Sequence, residues 1–383
     1  MPDVIEGGAL DQLLNLPLRD KNPYIQKWKE EGGYVFGYTC SYVPEELLIS
    51  YQSLAKILPI RMGANGCTTT EDADIYIHKF VCSFPRAMVQ CGLNGEYDYL
   101  DGIIFTSCCE HMRRCYEVWR DRVGKGKQFM LSVPHDCARE HHFNWYFEEV
   151  QNMLNQINHK WGLRTTDERK EEAIKLYNRY RDLMAELYAL RALDKPKLTG
   201  TEAMKIAEAG NNMPKDVFCD LLEEALAELK QREGFEPEAR IMISGSFIDD
   251  TNLIECIEST GAIVVTDNLC TARKYIETNI EEGTDNPAET ICRRYFNRIT
   301  CPRTIHGLPA RIEFIKGLAD YAKVDGIIFE KMSFCDNHGV ENLTMTEIFD
   351  EIGVPSMRLE REYTSSDYGR FKTRVQAFLE KIS

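Results

Sequence analysis

The segment "TSCCEHMRRC" (106–115) places three cysteines and a histidine within ten residues. The chain has 14 cysteines in 383 residues, and no two of them have the C-x₂-C spacing typical of a structural zinc site. Thiols in a reducing compartment mostly stay unpaired, so we expect most of these cysteines to be small buried side chains. Cysteines that follow strands are different, because thiolates there can hold soft metals or iron–sulfur clusters.

A second segment repeats this pattern more than two hundred residues later. "LDGIIFTSCCEH" (100–111) corresponds to "VDGIIFEKMSFCDNH" (324–338), and this correspondence matches Cys109 with Cys335. A third cysteine, Cys82 in "HKFVCSFPRAMVQ", precedes a helix start, where N–H groups and the helix dipole stabilise thiolates. Spacing alone leaves open both a shared cluster and unlinked core or surface cysteines.

The elements that must position these residues also occur twice. Apolar runs that alternate with helical stretches are typical of parallel sheets covered on both faces. We therefore predict two doubly wound α/β lobes of the Rossmann or flavodoxin type, in which ligands collect at the carboxyl ends of the strands. The predicted units are an N-terminal lobe (1–138), a helical connecting layer (139–237) and a C-terminal lobe (238–383), with the cysteines in a cleft between the lobes.

The predicted elements have definite bounds within the lobes. Besides the two DGIIF segments, the predicted strands are 33–40, 57–61, 127–134, 239–247, 262–266 and 353–360. The predicted helices of the two lobes are 44–55, 110–122, 251–259 and 344–352.

Composition excludes several classes of function. A formal net charge of −15 argues against a nucleic-acid binder, although a local basic pocket for an anion such as a CoA ester is compatible with it. No apolar run approaches the ~20 residues that cross a bilayer, and the N-terminus lacks the features of a signal peptide.

No GxGxxG follows a strand and no GxxxxGK[ST] occurs, so dinucleotide and P-loop sites lack support. A Cys109–His111 nucleophile pair is disfavoured, since residues two apart point away from each other on a helix.

Six segments, taken in order, resemble a known family. They are "FVCSF" around Cys82, "DGIIFTSCCEHMRR" around Cys109, "DNLC" (267–270), "RITCPR" (298–303), "DGIIFEKMSFCDNHG" (325–339) and "LEREYTSSDYGRFKTRVQAFLEKI" (359–382). Together they resemble the 2-hydroxyacyl-CoA dehydratase / benzoyl-CoA reductase family, to which the D-component of 2-hydroxyglutaryl-CoA dehydratase belongs. The resemblance covers both lobes.

The resemblance implies one [4Fe–4S] cluster per subunit, held by three cysteines, with one iron that lacks a protein sulfur. The implied ligands are Cys82, Cys109 and Cys335. Cys108 competes with Cys109, and we choose Cys109 because it directly precedes an acid, as Cys335 does. Four residues beside the implied cluster could tune it, move protons, or orient the loops; these are Glu110, His111, Asp336 and His338.

The resemblance also implies a function: an iron–sulfur subunit of benzoyl-CoA reductase type that passes single low-potential electrons to an acyl-CoA thioester through ketyl radical chemistry. The alternative is an (R)-2-hydroxyacyl-CoA dehydratase subunit. A further alternative is a double-cubane-cluster reductase of small molecules, which would use extra cysteines such as Cys40, Cys270 or Cys301; Cys91, which no proline follows, departs from that pattern.

The family implies partners as well. These are a homologous second subunit or a second copy, an ATP-dependent [4Fe–4S] activator protein, and a ferredoxin or flavodoxin upstream of it. The substrate would be an acyl-CoA, with no nucleic acid and no membrane involved, and the expected location is an anaerobic cytoplasm.

Overall fold

The computed structural model describes residues 7–51, 56–124, 128–298, 300–364 and 368–382. The strands are β1 (Tyr34–Tyr38), β2 (Ile57–Arg61), β3 (Gly102–Thr106), β4 (Gln128–Leu131), β5 (Ala239–Ser244), β6 (Ala262–Asn268), β7 (Gly326–Met332) and β8 (Ser356–Arg361). The helices up to β5 are α1 (Ala9–Leu14), α2 (Pro23–Glu30), α3 (Glu45–Ile49), α4 (Ser83–Leu93), α5 (Glu110–Val118), α6 (Glu140–Trp161), α7 (Asp167–Ala192), α8 (Gly200–Asn211) and α9 (Lys215–Gln231). The helices after β5 are α10 (Asn252–Glu258), α11 (Arg273–Ile276), α12 (Pro287–Asn297), α13 (Leu308–Tyr321), α14 (Asp336–Glu351) and α15 (Tyr368–Ile382).

The strands form two four-stranded sheets with the same order. The first sheet runs β2-β1-β3-β4 and the second β6-β5-β7-β8, and every pairing is parallel. Six of the eight strands are buried almost throughout, as expected for parallel sheets with helices on both faces, whereas the edge strands β4 and β8 are partly exposed. The repeated DGIIF pattern is therefore a structural repeat, and the predicted two-lobed α/β fold is confirmed.

The switch in strand order identifies where each sheet can bind a ligand. In the first sheet the chain passes from β1 to β2 on one side and then to β3 on the other side of β1, and in the second sheet it passes in the same way from β5 to β6 and then to β7. The strand order therefore reverses between β1 and β3 and between β5 and β7. Ligands of open α/β sheets bind outside the carboxyl ends of the strands at this switch point. In each lobe, the loops after these two strands are therefore the ones expected to form a site.

Several predicted bounds differ from the structure. The predicted helix 344–352 begins at Asp336, eight residues earlier, because the Cys335 carbonyl accepts the Gly339 N–H (2.8 Å) and starts the first turn there. The predicted helix 110–122 keeps α-helical bonding only to Val118 and continues as one π-helical turn. The predicted helix 44–55 is α-helical over Glu45–Ile49, and its part at 52–55 lies outside the described residues.

Four helices, α6 to α9, occupy the stretch between the two sheets in sequence. Helix α8 has a capping box, in which the Thr199 hydroxyl accepts from the Glu202 N–H and the Glu202 carboxylate accepts from the Thr199 N–H. The unit boundaries at 138/139 and 237/238 stay predictions. Within the described part of the chain, no helix is long and apolar enough to cross a bilayer.

The two lobes touch each other directly. The ring of Phe84 stacks on that of Phe247 with 4.1 Å between centroids. The Asp249 carboxylate accepts hydrogen bonds from the backbone N–H groups of Ala64 (2.8 Å) and Asn65 (3.0 Å). A side chain at Gly63 would collide with that carboxylate, so glycine allows this close approach.

Candidate functional site

A cavity of about 140 Å³ lies between the lobes, walled by segments that follow strands of both sheets. Its volume is close to the ~150 Å³ that admits a benzene-sized guest, so it has room for more than a water molecule. Seven of the 14 cysteines line it: Cys40, Cys82, Cys108, Cys109, Cys270, Cys301 and Cys335.

The three cysteines implied as cluster ligands all stand at helix N-caps. Cys82 precedes α4, Cys109 precedes α5 and Cys335 precedes α14. The Cys109 sulfur accepts a hydrogen bond from the Met112 N–H at 3.4 Å. The N–H groups of a first helical turn and the positive end of a helix dipole thus lie beside each sulfur, which favours thiolates and anionic groups in the cavity.

His111 connects the three segments that carry these cysteines. Its Nδ1 accepts a hydrogen bond from the Cys82 backbone N–H at 3.1 Å, and its Nε2 lies 3.6 Å from the Asp336 carboxylate. Because Nδ1 is the acceptor, the proton of the neutral ring is on Nε2 and faces Asp336. His111 follows Cys109 by two residues and Asp336 follows Cys335 directly, so one imidazole bridges all three N-caps.

Burial holds several of these thiols in the protonated form. It raises the pKa of Cys82, which is 8% exposed, well above that of an ordinary thiol, and it raises the pKa of Cys335 to about 11. A hydrogen bond with Cys109 is the largest cause that raises the pKa of Cys108. A metal group bound here would therefore displace protons as it binds.

Four further cysteines line the cavity besides the three implied ligands. Cys108, which competed with Cys109 as the implied ligand, also lines the cavity and contacts both Cys40 and Cys109. Cys40 follows β1 and Cys270 follows β6, at carboxyl ends equivalent to those before Cys109 and Cys335. Their positions at strand ends were the available signal. Cys301 follows no strand, and only the "RITCPR" motif pointed to it.

The four predicted auxiliary residues occupy different positions. Asp336 and His338 line the cavity with His111. Burial lowers the pKa of His338 well below its usual range, so this imidazole is neutral at pH 7. Glu110 is not among the lining residues; its carboxylate is exposed and pairs with Arg114 (Nε–Oε1 2.9 Å), which lowers its pKa.

The composition left room for a local basic pocket, and three cations do line the cavity: Arg61, Lys274 and Arg298. Arg61 ends β2 and donates from Nη2 to the Cys270 sulfur at 3.7 Å. Lys274 donates to the Gly245 carbonyl at 3.5 Å, and burial lowers its pKa. Arg298 donates to the Ser41 hydroxyl at 3.0 Å. Net charge alone could not locate these residues because the chain as a whole is acidic.

The donor set fits a sulfur-bound iron cluster better than a single ion. Within the described ranges, no three His, Cys, Asp or Glu side chains are grouped closely enough to hold one metal ion. The thiols are instead distributed around a cavity, and cysteine thiolates are the ligands of iron–sulfur clusters. The cations and helix N-termini supply positive potential for an anionic group of this kind.

These features define a class: a two-lobed α/β protein with a thiol-lined cavity at the facing switch points of its two sheets. Residues 40–382 match the family described as 2-hydroxyglutaryl-CoA dehydratase, D-component. The chain therefore belongs to this family, as the order of its motifs predicted.

Relatives match over nearly the whole chain. The beta subunit of (R)-phenyllactyl-CoA dehydratase from Clostridium sporogenes is 26% identical, with 94% of this chain and 96% of the relative covered. One of the subunits of benzoyl-CoA reductase from Thauera aromatica is 24% identical, with 93% of each chain covered. The beta subunit of (R)-2-hydroxyglutaryl-CoA dehydratase from Acidaminococcus fermentans is 22% identical, with 94% of this chain and 95% of the relative covered. The relatives thus include both enzyme types that the sequence predicted.

Proposed function

We propose that this chain is the iron–sulfur subunit of an acyl-CoA dehydratase or reductase and that Cys82, Cys109 and Cys335 hold its cluster. The observation that carries this proposal is the convergence of three helix N-caps, each with a cysteine, on one interlobe cavity. When bound, such a cluster supplies single electrons and an iron position open to a substrate oxygen.

The residues of the chain have roles around that group. His111 fixes the relative positions of the three N-caps, and Asp336 and His338 are close enough to the cavity to move or hold a proton. His338 stays neutral because burial disfavours its charged form, so it can donate or accept a hydrogen bond at the cavity but is a weak base. Glu110 supports α5 from its solvent side through Arg114.

Two reactions are compatible with membership in the family. Reduction of an aromatic acyl-CoA, as by the benzoyl-CoA reductase relative, consumes two electrons per product. Dehydration of a 2-hydroxyacyl-CoA consumes none beyond a priming electron, and relatives at 26% and 22% identity carry dehydratase names. The named relatives support both equally.

Electron stoichiometry separates these two reactions. The protein would be supplied anaerobically with an ATP-dependent activator and a limiting amount of reductant, together with either benzoyl-CoA or a 2-hydroxyacyl-CoA. Many products per electron identify a dehydratase, and half a product per electron identifies a reductase. No product with either substrate class would contradict both assignments.

The cluster itself is tested by anaerobic reconstitution. We expect the wild-type chain to bind iron and acid-labile sulfide in the amounts of a [4Fe–4S] cluster, and the three single variants Cys82→Ser, Cys109→Ser and Cys335→Ser to lose most of both. Cys115→Ser is the matched control, since Cys115 is buried on α5 and does not line the cavity. Undiminished iron in the three variants would contradict the proposed ligands.

A second candidate follows from the other four cysteines of the cavity. Cys40, Cys108, Cys270 and Cys301 line the same space, which supports a double-cubane cluster and a reductase of small molecules. Cys91, whose sequence context argued against this alternative, is buried on α4 and does not line the cavity. A double cubane would give twice the iron of one cubane. In that case the variant Cys40→Ser should lose iron, whereas in a protein with a single cubane it should keep its full iron content.

The expected partners follow from the same proposal. The relatives are named as subunits of larger enzymes, so we propose a homologous second subunit or a second copy, an ATP-dependent activator, and a ferredoxin or flavodoxin donor in the cytoplasm. Co-expression followed by anaerobic size-exclusion chromatography tests the first of these.

A further inference from the structure

Arg61 is a buried cation with unusual surroundings. It is 6% exposed, and its guanidinium lies between the rings of Tyr38 (5.6 Å to the centroid) and Phe247 (5.1 Å). Its Nη2 donates to the Cys270 sulfur at 3.7 Å. Its Nε and Nη1 are enclosed and have no hydrogen-bond partner within the described part of the chain.

No carboxylate of the described residues forms an ion pair with Arg61. The other buried arginines either pair with a carboxylate or, like Arg298 and Arg303, donate to backbone carbonyl oxygens. Arg181 pairs with Glu46, and Arg191 pairs with Asp267 at 2.8 Å. The nearby carboxyl of Glu208 does not supply the missing charge, because burial raises its pKa well above the usual range. A guanidinium cannot lose its proton in a protein, so Arg61 keeps an uncompensated charge.

The groups that face Arg61 across the cavity are thiols. Cys270, Cys40 and Cys108 are close enough to act on the guanidinium, but the raised pKa values of Cys40 and Cys108 keep these two as neutral thiols that do not compensate its charge. Two other cations lie on the same cavity wall, but burial lowers the pKa of Lys274, and the Arg298 guanidinium already donates to oxygens of Ser41 and Lys274. An isolated buried cation is costly unless a negative group binds beside it.

We infer that Arg61 is the fixed counter-charge of the anionic iron–sulfur group bound by the cavity cysteines and that it raises the affinity and the reduction potential of that group. The inference rests on the proposed function. Arg61 is a positioning residue, because its charge acts on the bound group across the cavity and its hydrogen bond goes to Cys270, which is not one of the three proposed ligands. A positive charge next to a cluster favours the added electron, and hydrogen bonds to the sulfurs act in the same direction.

This role predicts that loss of the Arg61 charge stabilises the metal-free protein but weakens cluster binding in the loaded protein. In the metal-free chain, Arg61→Met removes an uncompensated charge and keeps the packing against both rings, so Tm should rise by about 1–4 °C. In the anaerobically reconstituted chain, the same variant should bind iron less tightly and be harder to reduce. We expect an equilibrium constant for one-electron reduction about tenfold lower, which is about 59 mV.

Differential scanning calorimetry of the metal-free chains and EPR-monitored redox titration of the reconstituted chains measure these two effects. Arg61→Lys should recover most of the potential, because it retains the charge. Arg191→Met is the matched control: Arg191 is buried, carboxylate-paired and absent from the cavity wall, so its loss should lower the Tm and leave the potential unchanged.

A potential in Arg61→Met equal to that of the wild type would overturn the inference, as would a metal-free Tm of Arg61→Met below that of the wild type. A wild-type chain that takes up no iron would contradict the proposed function instead. The metal-free comparison then still decides whether Arg61 is an uncompensated cation, and a lower Tm for Arg61→Met rejects it.

Discussion

The His111 side chain links all three cysteine-bearing segments. It contacts the Cys82 backbone on one side and the Asp336 carboxylate on the other, while its own helix begins just after Cys109. The histidine was expected near the site from its spacing, but its bridging role depends on the distance between segments that are far apart in sequence.

We predict that His111→Ala destabilises the metal-free protein by about 1–3 kcal/mol, the cost of leaving a largely enclosed N–H without its acceptor. Urea unfolding measures this change. His111→Asn should recover part of the loss, because the amide oxygen can replace Nδ1 as acceptor, and His159→Ala on the exposed side of α6 should have no effect. Equal losses in His111→Ala and His111→Asn would show that the hydrogen bond to Cys82 is not the cause.

At the scale of single elements, the site depends on where helices begin. Helices α4, α5 and α14 each start immediately after a cysteine. A cysteine is an unusual N-cap, since serine, threonine, aspartate and asparagine cap better. We therefore attribute the cysteines at these positions to the chemistry of their thiols and not to a gain in helix stability.

This view predicts that Cys109→Ser separates stability from iron binding. The serine hydroxyl can accept from the Met112 N–H as the sulfur does, so the metal-free variant should match or exceed the wild-type Tm while it loses iron. Cys115→Ser should show the reverse, a lower Tm with iron retained, because it buries a hydroxyl in the core. Calorimetry and iron analysis of both variants check this, and a strongly lowered Tm in Cys109→Ser would refute it.

At the scale of the whole molecule, the cavity exists only because the two lobes are held together. Asp249 of the second lobe accepts N–H groups of Ala64 and Asn65 in the first, and the Tyr363 hydroxyl donates to the same carboxylate. Burial, together with the neighbouring Asp250, raises the pKa of Asp249 to about 6.

The raised pKa of Asp249 determines how the free energy of unfolding changes with pH. The folded chain binds this proton more tightly than the unfolded chain, so its stabilising contribution is complete below pH ~4 and is lost as the pH rises through ~6. Asp249→Asn mimics the protonated acid at every pH. Relative to wild type, it should therefore gain about 2 kcal/mol of unfolding free energy between about pH 4 and about pH 7.5.

Urea unfolding of the metal-free wild type and Asp249→Asn at these two pH values measures the difference. The exposed Asp220→Asn is the control and should show no such change with pH. A wild-type-to-variant difference that is the same at both pH values would contradict the buried, protonated carboxyl.

Much of the fold follows from local patterns in the sequence. The two DGIIF segments predicted the structural repeat. Continuous apolar runs predicted strands buried on both faces, because helices cover both faces of a parallel sheet. Helix bounds were less accurate: Gly339 near the start of α14 weakens the local signal for a helix, and tertiary contacts compensate for it. Glu110 and Asp336 occupy equivalent places after their cysteines and both are exposed, but only Asp336 lines the cavity, whereas Glu110 pairs with its i+4 partner Arg114.

The sequence alone determined the two lobes and the family and singled out Cys82, Cys109 and Cys335, because these depend on short-range periodicity and on the order of motifs. It did not predict that a helix starts directly after Cys335. Only the tertiary structure decided that seven thiols share one cavity, that His111 joins three segments, and that Arg61 has no carboxylate partner among the described residues. Those facts depend on distances between residues that are far apart in the chain. Such distances are set by how the lobes pack, and no local pattern encodes them.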